Sequence, residues 1–228
     1  MGEPEFCRAE AFAAFRRGVE SLDTTDGLLL AASAVALHAL PDSDPAATDR
    51  YLSELAERVR SRARSGSTEA LLAHLHDVLF AEEQFQGNTD QYYLPENSYL
   101  PEVIRTKRGL PILIALIYKV VGERAGLQID GINSPGHFLV QVAGDPEPMI
   151  VDPFFHGQVL NKDEAFERLE RISGRPIPHE ERYLSVATHP EWIARMLTNL
   201  QGLFANDGRR EDLAAMTELQ EELGGSLF

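Results

Sequence analysis

A change of hydrophobic period after Gly126 constrains the fold more than any other feature of this sequence. Before it, an apolar run from Leu110 to Val121 carries Lys119 and is shorter than the roughly 18 to 20 residues of a bilayer span, so we predict a buried helix that begins at Pro111. After Gly126, alternating patterns predict short strands over 127–132, 137–142 and 148–154. Turn formers at 144–147 join the last two strands into an antiparallel hairpin. A mostly buried central helix followed by antiparallel strands indicates an α+β fold.

Helical periodicity on both sides of this region predicts three parts in the chain. It fills the sequence from Phe12 to about Phe85, and it returns in a closing helical hairpin formed by Trp192 to Phe204 and Leu213 to Leu223. Residues 86–109 lose this periodicity and gain turn formers, which predicts a long irregular connection of a kind that often carries function. We therefore expect a helical N-terminal subdomain at 1–85, a core at 86–180 and a helical hairpin at 181–228.

Composition narrows the classes of partner and compartment. Asp and Glu number 36 against 21 Lys and Arg, a formal net charge of −15, which gives no attraction for a nucleic-acid backbone. Cys7 is the single cysteine, so an internal disulfide or a multi-cysteine metal site is excluded, and a reducing compartment fits. The first residues lack the basic and apolar regions of a signal peptide. We expect a cytoplasmic protein that binds neither nucleic acid nor membranes.

The predicted hairpin brings one histidine close to one aspartate. In a tight hairpin Val142 lies opposite Met149, which makes His137 and Asp152 diagonal neighbours on one sheet face. Such neighbours lie roughly 7 to 8 Å apart between backbones, and their side chains can hydrogen-bond. An aspartate that orients a histidine is two thirds of a nucleophilic triad. The alternative is a pair that caps strand ends at the rim of the sheet.

Several motifs resemble a known family. Four motifs resemble the core of the transglutaminase-like superfamily: Gly109-x-Pro111-x-x-x-Ala115, Ala125-Gly126-Leu127, Gly136-His137-Phe138-Leu139-Val140 and Val151-Asp152-Pro153-Phe154. That superfamily has a papain-like architecture, so the resemblance implies a central helix packed on a small antiparallel sheet. Four longer motifs resemble the bacterial SirB-like branch of that superfamily more closely: Asn97-Ser98-Tyr99-Leu100, Arg108-Gly109-Leu110-Pro111-Ile112, Pro135-Gly136-His137-Phe138-Leu139 and Ile150-Val151-Asp152-Pro153-Phe154. The closing hairpin is similar to the tetratricopeptide-like tail of that branch.

The resemblance assigns catalytic roles to three positions, and at one of them this chain lacks the reactive side chain. His137 matches the catalytic histidine of the superfamily and Asp152 its catalytic aspartate. The superfamily's cysteine stands two residues after Gly109 and four before Ala115, where this chain has Pro111, with no thiol, hydroxyl or N–H. Loss of a triad nucleophile costs on the order of a millionfold in turnover. The resemblance therefore implies that acyl transfer by the usual thiol route is absent.

Three substitutes for the missing nucleophile are open. Cys7 is one, although its segment with Phe6 and Phe12 indicates a small buried hydrophobe. Ser98 or Ser134 is another, although loop serines more often cap or form turns. The third is a divalent metal held by His137, Asp152 and His156, whose spacing leaves the geometry unconstrained.

We expect a non-catalytic domain that binds a protein or peptide partner through a groove at His137 and Asp152. The residues expected to line this pocket are Asn97, Ser98, Tyr99, Glu102, Ser134 and Gly136. No cofactor and no metal are expected, and the oligomeric state is left open. The competing class is a hydrolase or acyl transferase that uses a non-standard nucleophile with the His137–Asp152 pair. A third class is a structural or assembly subunit that acts through its helical ends.

Overall fold

The protein is an α+β protein, as expected. The structure, a computed structural model, describes residues 3–224 and divides them into two compact units. The first unit comprises residues 3–49, 88–106 and 189–224, and the second comprises residues 50–87 and 107–188. Each unit draws on separate stretches of the chain. The division at 85/86 and 180/181 stays a prediction.

The elements follow one another in this order. The helices are α1 (Ala9–Val19), α2 (Thr25–Ala39), α3 (Pro45–Arg62), α4 (Thr68–His76), α5 (Leu100–Thr106), α6 (Pro111–Ala125), α7 (Lys162–Ser173), α8 (His189–Asn206) and α9 (Arg210–Gly224). The strands are β1 (Gln86–Gly87), β2 (Arg108–Gly109), β3 (Ile129–Ile132), β4 (Leu139–Val142), β5 (Met149–Asp152), β6 (Gln158–Leu160) and β7 (Val186–Ala187). Shorter helical turns occupy Asp77–Glu82, Pro95–Ser98, Pro153–Phe155 and Glu181–Leu184.

The first unit is a helical assembly in which the closing hairpin docks on the N-terminal helices. Helix α8 packs on α9 and α2, and α9 also packs on α1. Trp192, Met196 and Leu200 of α8 are fully buried, as are Met216 and Leu219 of α9. The predicted hairpin is thus confirmed, and its apolar face is covered within its own unit. Its likeness to a tetratricopeptide repeat stays a prediction.

The second unit is a five-stranded antiparallel sheet with helices packed on it. The strand order is β6-β5-β4-β3-β7, and α6 packs against β3 and β4. Val142 pairs with Met149, which confirms the predicted register. Helix α6 starts with Pro111 at its first position and ends at Gly126, whose φ of 116° suits glycine.

Helix α6 is almost entirely buried, and its one lysine is satisfied inside the unit. Lys119 donates hydrogen bonds to the carbonyl oxygen of Ile129 and, at 2.5 Å, to the carboxylate of Glu123. A buried ammonium is tolerated because these acceptors replace its water. In the described part of the chain, every helix falls short of the length and apolar character that crossing a membrane requires.

A polar network ties α3 to the segment before β2 in the second unit. The carboxylate of Glu83 accepts hydrogen bonds from Tyr51 at 2.6 Å, Arg58 at 2.5 Å and Lys107 at 2.8 Å. Desolvation raises the pKa of Glu83, but these three donors outweigh it and lower that pKa to about 2. Glu83 therefore stabilises the fold as a carboxylate.

The predicted irregular connection at 86–109 contains more structure than the sequence indicates. It holds α5, and its two ends meet as a parallel pair in which Gln86 lies opposite Arg108 and Gly87 opposite Gly109. A side chain at Gly87 would collide with the ring of Phe154, since a Cβ there would lie 2.3 Å from it. Strands of two residues carry no periodicity, which is why the sequence pattern misses them.

Candidate functional site

His137, two residues before β4, contacts Asp152, the last residue of β5. Nε2 of His137 lies 3.0 Å from both carboxylate oxygens of Asp152, as the predicted register requires. Both side chains are buried, with 2% and 0% of their surfaces exposed. The geometry suits an imidazole whose Nε2–H is held by a carboxylate, the arrangement that fixes ring orientation in triads.

Arg168 completes this cluster from α7. Its Nη1 donates to Oδ2 of Asp152 at 2.7 Å, and its Nη2 donates to Oε1 of Gln158 on β6 at 2.5 Å. Its guanidinium carbon lies 4.3 Å from the ring centroid of Phe155, a cation–π contact. The charge of Asp152 is therefore balanced by a buried cation, and its carboxylate joins β5 to α7 and to the segment before β4.

Sequence reasoning missed Arg168, although a signal was present. Helix α7 buries Ala165, Arg168 and Leu169, which are spaced as one helix face. An arginine on the apolar face of an amphipathic helix needs a buried acceptor. Asp152 is the buried carboxylate of the neighbouring hairpin, so a search for that acceptor points to it.

Aromatic rings enclose the imidazole of His137. The ring centroids of Phe154 and Phe155 lie 5.7 and 6.1 Å from the imidazole centroid, and the first pair meets edge to face. The backbone carbonyl of Asp152 accepts the Gly157 N–H at 2.9 Å, which closes the turn after β5. The cluster is thus buried by the turn that follows it.

No partner nucleophile contacts this imidazole within the described residues. Over residues 3–224, the side chain of His137 hydrogen-bonds to Asp152 alone. Pro111 stands buried at the first position of α6. Cys7 is buried, and burial, followed by the charge of Glu218, raises the pKa of its thiol to about 12. A thiol in that environment stays protonated at neutral pH.

The two candidate serines are both buried, and neither hydroxyl hydrogen-bonds to the His137 imidazole in the described part of the chain. Oγ of Ser134 donates to the carbonyl oxygen of Tyr183 at 2.7 Å, so it fixes the chain near the sheet. Oγ of Ser98 has no hydrogen-bond partner in the described part of the chain, so no base activates it there. The proposed metal ligands do not gather either: residues 3–224 contain no group of three His, Cys, Asp or Glu side chains fit to hold a metal ion.

The residues expected to line the pocket are divided between the two units. Asn97, Ser98, Tyr99 and Glu102 belong to the first unit, whereas Ser134 and Gly136 lie with His137 and Asp152 in the second. Gly136 adopts a φ of 73°, which favours glycine. Glu102 bonds Arg105 on its own helix at 2.6 Å, and the buried hydroxyl of Tyr99 has no hydrogen-bond partner among the described residues. That these residues line one pocket stays a prediction.

Asn97 organises its own loop. Its Nδ2 donates to the carbonyl oxygens of Gln91 at 2.6 Å and Tyr92 at 3.1 Å, and its Oδ1 accepts from Asn88 at 2.8 Å. These bonds use the polar atoms of the buried amide. They give Asn97 a structural role in the segment that leads into α5.

Comparisons with known proteins identify the family of this chain. A family model described as Transglutaminase-like superfamily matches residues 46–198, a range that includes Pro111, His137 and Asp152. A UPF0162 protein of Xylella fastidiosa is 34% identical over 191 residues, which cover 82% of this chain and 68% of the relative. A UPF0162 protein of Pseudomonas aeruginosa is 29% identical over 201 residues, which cover 86% of this chain and 72% of the relative.

A shorter likeness extends beyond bacteria. F-box only protein 21 of Homo sapiens is 30% identical over 84 residues, which cover 37% of this chain and 13% of that protein. No solved structure gives a significant match. On the family model and the Xylella relative, the chain belongs to the transglutaminase-like superfamily and, within it, to the UPF0162 family.

Proposed function

We propose that this chain is a non-catalytic transglutaminase-like domain of the SirB-like branch that binds a protein or peptide partner. Two observations carry the proposal: by the sequence resemblance, Pro111 occupies the position of the superfamily nucleophile, and the His137 side chain is hydrogen-bonded to Asp152 alone among residues 3–224. In the same proposal, the α8–α9 hairpin is tetratricopeptide-like. The protein is cytoplasmic, where its single cysteine stays reduced.

The environment of Cys7, the single cysteine, does not suit thiol-dependent acyl transfer. The reactive species in acyl transfer is the thiolate, and a pKa of about 12 for Cys7 leaves a fraction on the order of one in 100,000 at pH 7. A catalytic cysteine needs the opposite environment, with a neighbouring cation that lowers its pKa. Cys7 instead donates its backbone N–H to the carboxylate of Glu218 at 2.8 Å.

The His137–Asp152–Arg168 cluster has a structural role in this proposal. It joins the end of β5 to α7, and it satisfies a carboxylate that has no access to water. Because His137 and Asp152 are buried, a partner does not contact their side chains. It contacts the surrounding surface, which these side chains stabilise. In this proposal the cluster holds the backbone around the expected groove in place, and other residues form the surface of the groove.

An activity screen tests the proposal. Wild type, Cys7→Ala and His137→Ala are compared in amine-transfer and amide-hydrolysis assays. We expect no turnover above a protein-free control for any of the three. Activity that disappears with both substitutions would make Cys7 a displaced nucleophile. Activity lost only with His137→Ala would indicate Ser98, Ser134 or a metal-bound water, and would overturn the proposal in favour of a hydrolase or acyl transferase.

A further inference from the structure

The second unit contains a cavity of about 840 Å³ whose lining includes neither His137 nor Asp152. Strands β4, β5 and β6 contribute Gln141, Ile150 and Leu160, and the first turns of α7 contribute Phe166. The remaining wall is the segment 179–186 and the turn before β5. A volume of this size lies within the usual range of binding pockets, roughly 300 to 1,000 Å³.

The floor of the cavity is apolar and rests on the core of the sheet. Ile150 and Leu184 are partly exposed there, and both pack on a buried cluster that includes Leu139 and Leu160. Phe166 is buried beneath the ring of His179, with the two rings stacked 4.3 Å apart. Such a floor binds an aliphatic side chain because the contact removes apolar surface of both partners from water.

The rim of the cavity carries surplus negative charge. Its two cations are already paired, since Lys162 lies 3.2 Å from Glu181 and Arg182 lies 2.9 Å from Glu180. Glu147 is exposed on the rim and has no ion-pair partner within residues 3–224.

Asp163 adds a second carboxylate to this rim. It lies 3.9 Å from His179, a contact that is ionic only when the histidine is protonated. A cation at the rim would therefore meet two carboxylates that no lysine or arginine neutralises.

We propose that this cavity binds an extended segment of a partner protein in which lysine or arginine flanks an aliphatic side chain. The aliphatic side chain fills the floor at Ile150 and Leu184, and the flanking cations approach Glu147 and Asp163. The net charge of −15 favours the same partner, because it repels acidic proteins and attracts basic ones at long range. The inference rests on the proposed function and names the class of partner for it.

Binding of two labelled peptides tests the inference with the full chain. One peptide carries a leucine flanked by lysine and arginine, and the other has glutamate in place of each cation. We expect fluorescence anisotropy to show binding of the basic peptide at least tenfold tighter than binding of the acidic one, weakening at about 0.3 M salt as exposed charges are screened. No binding of the basic peptide, or equal binding of both, overturns the inference.

Matched variants locate the binding surface. Glu147→Lys changes the rim, whereas Glu57→Lys changes the net charge equally at an exposed position of α3. We expect Glu147→Lys to weaken binding of the basic peptide about tenfold and Glu57→Lys to change it less than twofold. Equal losses would overturn the inference, since they would show attraction to overall charge alone. Mass spectrometry of the recovered peptide separates the two proposals, because a cleaved or modified peptide contradicts the proposed function and leaves the binding surface standing.

Discussion

Removal of Arg168 should destabilise the fold far more than removal of a surface arginine. Arg168→Met keeps an unbranched, apolar stem but leaves Asp152, which has no exposed surface, without its cation at 2.7 Å. Removing one partner of a buried ion pair costs roughly 3 to 5 kcal/mol, because the other charge stays buried. His137 still donates to Asp152, so we expect the lower end of this range, about 3 kcal/mol.

Urea unfolding at pH 7, followed by circular dichroism, measures this cost. Arg171→Met is the matched control, because Arg171 is exposed on the same helix and should cost less than about 0.5 kcal/mol. The double variant Arg168→Met, Asp152→Asn should lose at least about 1 kcal/mol less than the sum of the single variants. Equal losses for Arg168→Met and Arg171→Met would refute the argument, since Asp152 would then not need its cation.

Three further predictions concern other parts of the chain. Glu83→Gln should destabilise the protein at pH 7 but much less near pH 2.5, and urea unfolding at both pH values checks this. The reason is that the pKa of Glu83 is lowered to about 2, so its carboxylate stabilises the fold fully above its ordinary pKa and loses this effect as the pH falls towards 2. The Cys7 thiol should not react with a disulfide reagent in the native protein at pH 8, because its pKa is raised, and it should react fully in denaturant. The absorbance of the released thiol measures both reactions. Trp192→Ala should cost roughly 3 to 5 kcal/mol in thermal or urea unfolding, because it empties a fully buried site between helices.

Each of these predictions has a contradicting outcome. A loss for Glu83→Gln that is the same at both pH values would mean that the charge of Glu83 is not what stabilises its network. Labelling of Cys7 in the native state would show an accessible thiolate. A Trp192→Ala variant of unchanged stability would mean that the α8–α9 hairpin is not part of the packed core.

Local signals in the sequence explain why the central features were predictable. Pro111 and Gly126 set both ends of α6, because each favours a backbone conformation found at that end of a helix. The alternating pattern and the turn between β4 and β5 set the register. Once the register is known, the contact between His137 and Asp152 follows from strand geometry.

Features that depend on distant pairing were not predictable in the same way. The parallel pairing of Gly87 with Gly109 joins residues 22 positions apart through two-residue strands, which no periodic pattern announces. Arg168 reaches Asp152 only because α7 folds back over the sheet after β6. The pattern of charged and apolar residues can be read from the sequence. The acceptor that a buried donor such as Arg168 bonds depends on the tertiary fold.

We propose that this chain keeps the superfamily's histidine and aspartate and lacks the nucleophile, at position 111. Pro111→Cys in a Cys7→Ala background tests this claim, because the variant then has a single thiol. The measurement is the rate of iodoacetamide alkylation as a function of pH, with and without His137→Asn. We expect a midpoint well below the ordinary thiol pKa of about 8.5, which rises when His137 is replaced. A midpoint at or above the ordinary value that does not respond to His137→Asn would contradict the claim.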